Sequence, residues 1–114
     1  MNIQRGDILF AALDPTIGAE QAGTRPVLVV QNNQANRLIP TITVVPLTSK
    51  LKASRFLFTV VIPAAQSGLS QDSVALVFQM RTLDKARLIR KIGHISPDVI
   101  DAIDNALRIH LALD

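Results

Sequence analysis

The chain has 114 residues, 48% of them hydrophobic, no cysteine, and a formal charge of +3 from twelve Lys and Arg against nine Asp and Glu. That length is one domain whose core can hold without disulfides, and the lack of cysteine suits a reducing compartment. Apolar runs are broken by proline or polar residues well short of a membrane span, and "MNIQRGD" has neither a basic nor an apolar leader region, so a cytoplasmic protein with no membrane partner is expected.

In chain order, "GDILFAAL" (6–13) reads as a strand that stops at "DP", followed by a glycine-bearing mobile loop over 14–23. "RPVLVVQN" (25–32) and "TITVVPLT" (41–48) are the next strands, joined by the polar connection "NQANRLIP"; Pro46 inside the second predicts an edge or a bulge there. "RFLFTVVI" (55–62), one long strand "DSVALVFQMRTL" (72–83) and "RLIRKIGHI" (87–95) follow. The last element is helical, with Ser96 as N-cap, Pro97 at the first position and Asp98 in the first turn. Ile100, Ile103, Leu107 and Leu111 share one of its faces, while Asp101, Asp104, Asn105 and Arg108 fall away from it. Six strands and a terminal helix predict a mainly β fold, a compact barrel or curled sheet carrying a C-terminal α-helix. The mean hydropathy of +0.31 is high for a small monomer, and a homodimer would hide the excess apolar surface.

Charge is unevenly placed. From Arg25 to Lys91 there are ten Lys or Arg against Asp72 and Asp84, a net of +8, whereas from Asp98 onward Asp98, Asp101, Asp104 and Asp114 face Arg108 alone. A cationic body of this kind favours a polyanion or an acidic peptide as partner.

Antiparallel pairing of 25–32 with 41–48, symmetric about Asn36–Arg37, puts Arg25 opposite Thr48 at the open end of the hairpin, beside the glycine-bearing loop. Pro26 biases Arg25 toward extended backbone and helps aim its side chain. A bulge at Pro46 would shift this register by one residue.

At these residues the sequence resembles a known family. "RGDILFAALDPTIGAEQAGTRPVLVVQNN", "NR" at Asn36–Arg37, "PLTS" ending at Ser49, "SGLSQDSVALVFQMRTLDKARL" and "KIGH" are similar, in order and spacing, to the MazF/PemK toxin endoribonucleases, over nearly the whole chain. The resemblance implies a small SH3-like β-barrel of the CcdB/MazF type, a homodimer, and metal-independent, sequence-specific cleavage of single-stranded RNA. It also implies silencing by a cognate antitoxin, whose acidic disordered tail would lie along the cationic groove. The catalytic pair of the family falls on Arg25 and Thr48, the two residues that the register sets side by side.

The chemistry suits them. The RNA 2′-hydroxyl can attack its own adjacent phosphate to give a cyclic phosphate and a free 5′-hydroxyl, so the protein need not provide a nucleophile; no Asp/His cluster has metal-ligand spacing, and no cofactor is expected. A guanidinium donates two parallel hydrogen bonds to the non-bridging oxygens, and Thr48 orients the phosphate or the attacking hydroxyl. Family accounts also give the arginine an acid–base role, although a guanidinium keeps its proton at ordinary pH. His94 and His110 lie in apolar neighbourhoods and read as packed or surface histidines.

Candidate RNA-binding residues are Glu20 and Gln21 in the loop, Asn32, Asn36 and Arg37 around the hairpin connection, and Phe78, Gln79 and Arg81 in the fifth strand. Relatives often carry glutamate at the place of Phe78. Phe10, Phe56 and Phe58 are expected in the core or the dimer interface. The alternative reading is a non-nucleolytic, CcdB-like toxin that binds a topoisomerase; a third is a non-catalytic RNA-binding dimer.

Overall fold

The computed structural model describes all residues, Met1 to Asp114. In chain order the elements are β1 (Asp7–Ala12), β2 (Thr24–Val29), α1 (Asn33–Leu38), β3 (Thr41–Thr48), β4 (Thr59–Ile62), β5 (Ser73–Leu76), β6 (Arg81–Asp84), β7 (Leu88–His94) and α2 (Pro97–His110). All strand pairs are antiparallel, in the order β4-β5-β3-β2-β1-β7, with β6 added on β3. The fold is therefore mainly β with a C-terminal helix. No helix is long and apolar enough to cross a membrane.

Alternation along the strands buries both faces of the sheet. Ile8, Leu28, Val45 and Leu47 point one way and meet Val99, Ile103 and Ala106 of α2. Leu9, Ala11, Val27, Val29 and Val44 point the other way and pack with Ile3, Leu13, Ile42 and Leu83. Fully burying one such side chain is worth about 1.5–3 kcal/mol, so either stripe alone is enough to fix the register. Ser96 Oγ accepts from the Val99 N–H at 3.4 Å and Pro97 starts α2. Its buried stripe runs through Val99, Ile103 and Ala106, with Ile100 and Leu107 beside it; Leu111, expected on that face, lies past the helix end and is exposed.

The sheet curls without closing, since β4 and β7 do not pair with each other. The gap between them is bridged by the segment after β4: Ser96 N–H donates to Gln66 O at 3.0 Å and Ser96 Oγ to Gln66 Oε1 at 2.8 Å. A Cβ on Gly93 would stand 2.1 Å from the Ser67 carbonyl oxygen, so only glycine lets β7 lie this close.

Three elements differ from the sequence expectation. The polar connection 33–40 contains the helix α1, capped by Asn32, whose Oδ1 accepts from Ala35 N–H at 2.8 Å. The expected strand 55–62 is strand only over Thr59–Ile62, because Leu51–Arg55 form a 3-10 turn and Phe58 takes a left-handed φ of 62°. The expected strand 72–83 is two strands, broken by a 3-10 turn at Val77–Gln79.

Candidate active site

The register of β2 on β3 pairs Val27 with Pro46, Leu28 with Val45 and Val29 with Val44, the alignment that carries Arg25 to Thr48. Pairing with β2 stops at Pro46, and from Leu47 onward β3 pairs on its other edge with β5, Thr48 opposite Val74. Pro46 is buried at this change of partner, neither on an edge strand nor causing a slip, where its missing N–H costs no ladder bond. The parting of β2 and β3 beyond Pro46 opens a cleft of about 390 Å³, with Arg25 and Thr48 in its walls beside Phe10, Ser73 and Arg90.

Arg25 is half-buried, and its Nε donates to the Ala22 carbonyl at 3.0 Å, which sets the side chain against the loop. It makes no ion pair, and its terminal guanidinium nitrogens donate to no group of the chain, so both remain open to an anion. Thr48 is 5% exposed and its Oγ1 accepts from the Lys50 N–H at 3.2 Å. That bond uses a lone pair and leaves the hydroxyl proton free to donate.

A second group gathers in the depression beside Pro46, where Glu20, Gln21, Phe78, Gln79 and Arg81 come together. The kink at Val77–Gln79 turns Phe78 and Gln79 toward it. Gln79 ties the loop down, its Oε1 accepting from Gln21 N–H at 2.9 Å and its Nε2 donating to Ala19 O at 3.3 Å. Glu20 stands 3.7 Å from Arg81 Nη1, and its Oε1 also accepts from the Ile17 N–H at 3.0 Å. The loop that the sequence marks as mobile is thus fastened at several points.

Asn32, Asn36 and Arg37 are not brought there. They sit at or beside α1, at the closed end of the hairpin, opposite the end that carries Arg25 and Thr48. Asn32 is spent on the helix cap. Asn36 is 5% exposed; its Oδ1 accepts from Gln31 Nε2 at 3.0 Å and its Nδ2 donates to Gln31 O at 3.0 Å, which leaves little to offer a base edge. Arg37 is exposed in the last turn of α1.

None of Phe10, Phe56 and Phe58, expected in the core or the dimer interface, belongs to a core cluster. Phe10 lines the cleft with the Arg90 guanidinium 4.8 Å above its ring. Phe56 is exposed beside Phe78, and Phe58 leans on His110. Arg90 is the cleft residue that the sequence reading missed. Cross-strand pairing of Phe10 with both Pro26 and Arg90 would have revealed it, had the order of β1, β2 and β7 been known.

His94 lies outside the cleft. Its Nδ1 donates to Asp7 Oδ1 at 2.7 Å, while Asp7 Oδ2 accepts from Lys91 Nζ at 2.9 Å and from Gln4 N–H at 2.8 Å. Burial pushes the Asp7 carboxyl up, but the hydrogen bonds from His94, Gln4 and Lys91, with the Lys91 charge, outweigh it and hold the group below its ordinary 3.8.

A curled antiparallel sheet backed by a terminal helix thus carries an unpaired guanidinium and a hydroxyl with a free proton in the wall of one cleft, groups able to hydrogen-bond an anion. The family model for the PemK-like, MazF-like toxin of type II toxin-antitoxin systems matches residues 4–111, and the chain belongs to that family. It is 45% identical over 113 residues to endoribonuclease EndoA of Bacillus subtilis (strain 168), covering 99% of this chain and 97% of the relative. It is also similar to the crystal structure of MazF (Form-I) from Deinococcus radiodurans, at 27% identity and a TM-score of 0.85 over 99% of both chains. MazE-MazF (Form-II) of that organism is similar at 27% identity and a TM-score of 0.79, over 100% of this chain and 99% of the other.

Proposed function

We infer that the protein is the endoribonuclease toxin of a type II toxin–antitoxin pair, and that Arg25 and Thr48 form its catalytic pair. The observation that carries this is the shared cleft in which the Arg25 terminal nitrogens and the Thr48 hydroxyl proton are all unengaged. Family membership and the likeness to EndoA support the activity.

The substrate is single-stranded RNA. Its 2′-oxygen forms a bond to the adjacent phosphorus as the bond from phosphorus to the 5′-oxygen breaks, yielding a 2′,3′-cyclic phosphate and a 5′-hydroxyl. Arg25 holds the non-bridging oxygens as their charge grows, and Thr48 donates to one of them. The guanidinium keeps its proton, so the 2′-hydroxyl proton leaves to solvent and the departing 5′-oxygen takes one from it. Neither histidine lines the cleft. The pH–rate profile should therefore show no inflection near the ordinary histidine value of about 6.5.

The substrate runs from this cleft past Gln21, Phe78, Gln79 and Arg81. Exposed Leu57, Ile109, Leu111 and Leu113 favour a second copy of the chain as partner in a homodimer. The middle of the chain, with its net +8, suits the acidic tail of a cognate antitoxin, which competes with RNA for the cleft. The similar MazF of Deinococcus radiodurans also has a structure as MazE-MazF. These reactions belong in the cytoplasm. Antitoxin inhibition should weaken as salt rises; an affinity unchanged between low and moderate salt contradicts the competition.

Incubation with single-stranded RNA in EDTA tests the reading. Cleaved ends from the native chain, none from Arg25→Ala, and a loss of about 10² to 10³ in rate for Thr48→Ala are expected. Intact RNA would instead favour a CcdB-like, topoisomerase-binding toxin, a reading the named relatives do not support.

A further inference from the structure

Two phenylalanine rings meet at the surface beside the cleft. Phe56 is 63% exposed and packs against half-buried Phe78, with ring centroids 5.8 Å apart and planes at 58°. Neither ring belongs to a core cluster. Each stands on a 3-10 turn: Phe56 closes the turn Leu51–Arg55, its N–H donating to Ala53 O, and Phe78 is at the middle of Val77–Gln79. Just beyond, Phe58 takes its left-handed φ of 62°, a conformation that bulky residues avoid. That twist sends Phe58 to His110 on α2 while Phe56 stays on the cleft side.

The rings form one wall of a depression whose other walls include Lys50, Lys52 and Arg55, three cations that make no ion pair within the chain. Thr48 lines both this depression and the Arg25 cleft, so the two adjoin at that residue. An exposed ring face is tolerant of base identity, and cations at its side are suited to the flanking phosphates. Aromatic and cationic groups interleaved in this way are what an unpaired nucleotide needs.

Resting on the endoribonuclease reading, we propose that Phe56, backed edgewise by Phe78, is the stacking seat for one unpaired base within two nucleotides of the scissile phosphate. Lys50, Lys52 and Arg55 hold the backbone on its outer side. The tilt of the pair leaves the Phe56 face as the stacking surface and makes Phe78 its support. The seat therefore contributes affinity and positioning, and little discrimination between bases.

The test uses the full chain and an RNA whose cut site has been mapped. Each of the two nucleotides on either side of the cut is replaced in turn by an abasic one. Phe56→Ala should raise Kd for the intact RNA about 5- to 100-fold, with Phe56→Tyr near native. One abasic position should weaken the native chain by a similar factor while leaving Phe56→Ala no weaker than it already is. The exposed position of Phe56 means that the circular dichroism of the variant should match the native spectrum. If native protein cuts RNA but Phe56→Ala binds it equally well, or every abasic position weakens both proteins alike, the seat is refuted and the ribonuclease stands. Loss of antitoxin affinity in Phe56→Ala with RNA affinity intact would give the rings to the partner and also refute the seat. Failure of the native chain to cut any RNA overturns the functional reading and the seat with it.

Discussion

Arg90 and Lys91 are neighbours on β7 with opposite employment. Arg90 leans over the Phe10 ring in the wall of the cleft and forms no ion pair, whereas Lys91 reaches the buried carboxylate of Asp7 at 2.9 Å beside His94. Strand alternation is enough to separate them. In the Asp7 knot the carboxylate is met by Lys91, His94 and the Gln4 N–H, so the knot fastens β1, β7 and the N-terminal segment. At the cleft Arg25 and Arg90 are left unanswered. Unpaired cations at an opening cost some self-repulsion, and they are what an incoming phosphate can use. The same residue types are thus satisfied within the chain at one place and left open to a ligand at the other.

Substitutions at the cleft and at the Asp7 knot should therefore act on different properties. Arg25→Ala should abolish cleavage while thermal unfolding stays close to native; residual cleavage at the native rate would show that the unpaired guanidinium is a bystander. Thr48→Ala should lose about 10² to 10³ in single-turnover rate, with Thr48→Ser recovering most of it, because the hydroxyl rather than the methyl is the donor.

On the paired side, Asp7→Asn should cost about 1.5–3 kcal/mol in urea unfolding at pH 7 and leave single-turnover cleavage unchanged. Since the folded carboxyl lies below its ordinary 3.8, its contribution is present above that value and is lost as pH falls through the folded pKa. The gap between native and variant should therefore close in acid. A gap that persisted below the folded pKa would mean that packing, not charge, holds the knot.

The smallest effect separates the two neighbours directly. Arg90→Ala should lower the slope of log affinity against log salt for single-stranded RNA by about 0.7, the signature of one lost phosphate contact. Lys91→Ala should leave that slope alone and lower stability instead. Equal slopes in the two variants would mean that Arg90 and Lys91 meet RNA alike.

What the sequence disclosed follows the same physics. The alignment of Arg25 with Thr48 was legible because two apolar runs flank a short polar connection, and pairing them symmetrically about Asn36–Arg37 gives the register that β2 and β3 adopt. The start of α2 was legible from Ser96 and Pro97. The kink at Val77–Gln79 was not: "VFQM" holds neither Gly nor Pro, and its residues favour a strand, so only tertiary packing breaks it and turns Phe78 outward. The helix α1 is too short to show a period, although Asn32 was available as its cap signal. Asn36 looks like a surface amide in sequence; its burial depends on Gln31 folding over it, which no local pattern announces. Arg90 joins Arg25 only through β1, and such long-range adjacency has no trace in spacing.

In the proposed reaction Arg25 and Thr48 assist an attack by the RNA's own 2′-hydroxyl, and the chain supplies no nucleophile. A single 2′-deoxy substitution on the 5′ side of the mapped cut, in an otherwise unchanged oligonucleotide, tests it directly in EDTA. Binding should be retained and cleavage should disappear, while the all-RNA control yields a 2′,3′-cyclic phosphate. Cleavage of the deoxy-substituted strand at a comparable rate, or products ending in a 5′-phosphate, would contradict it.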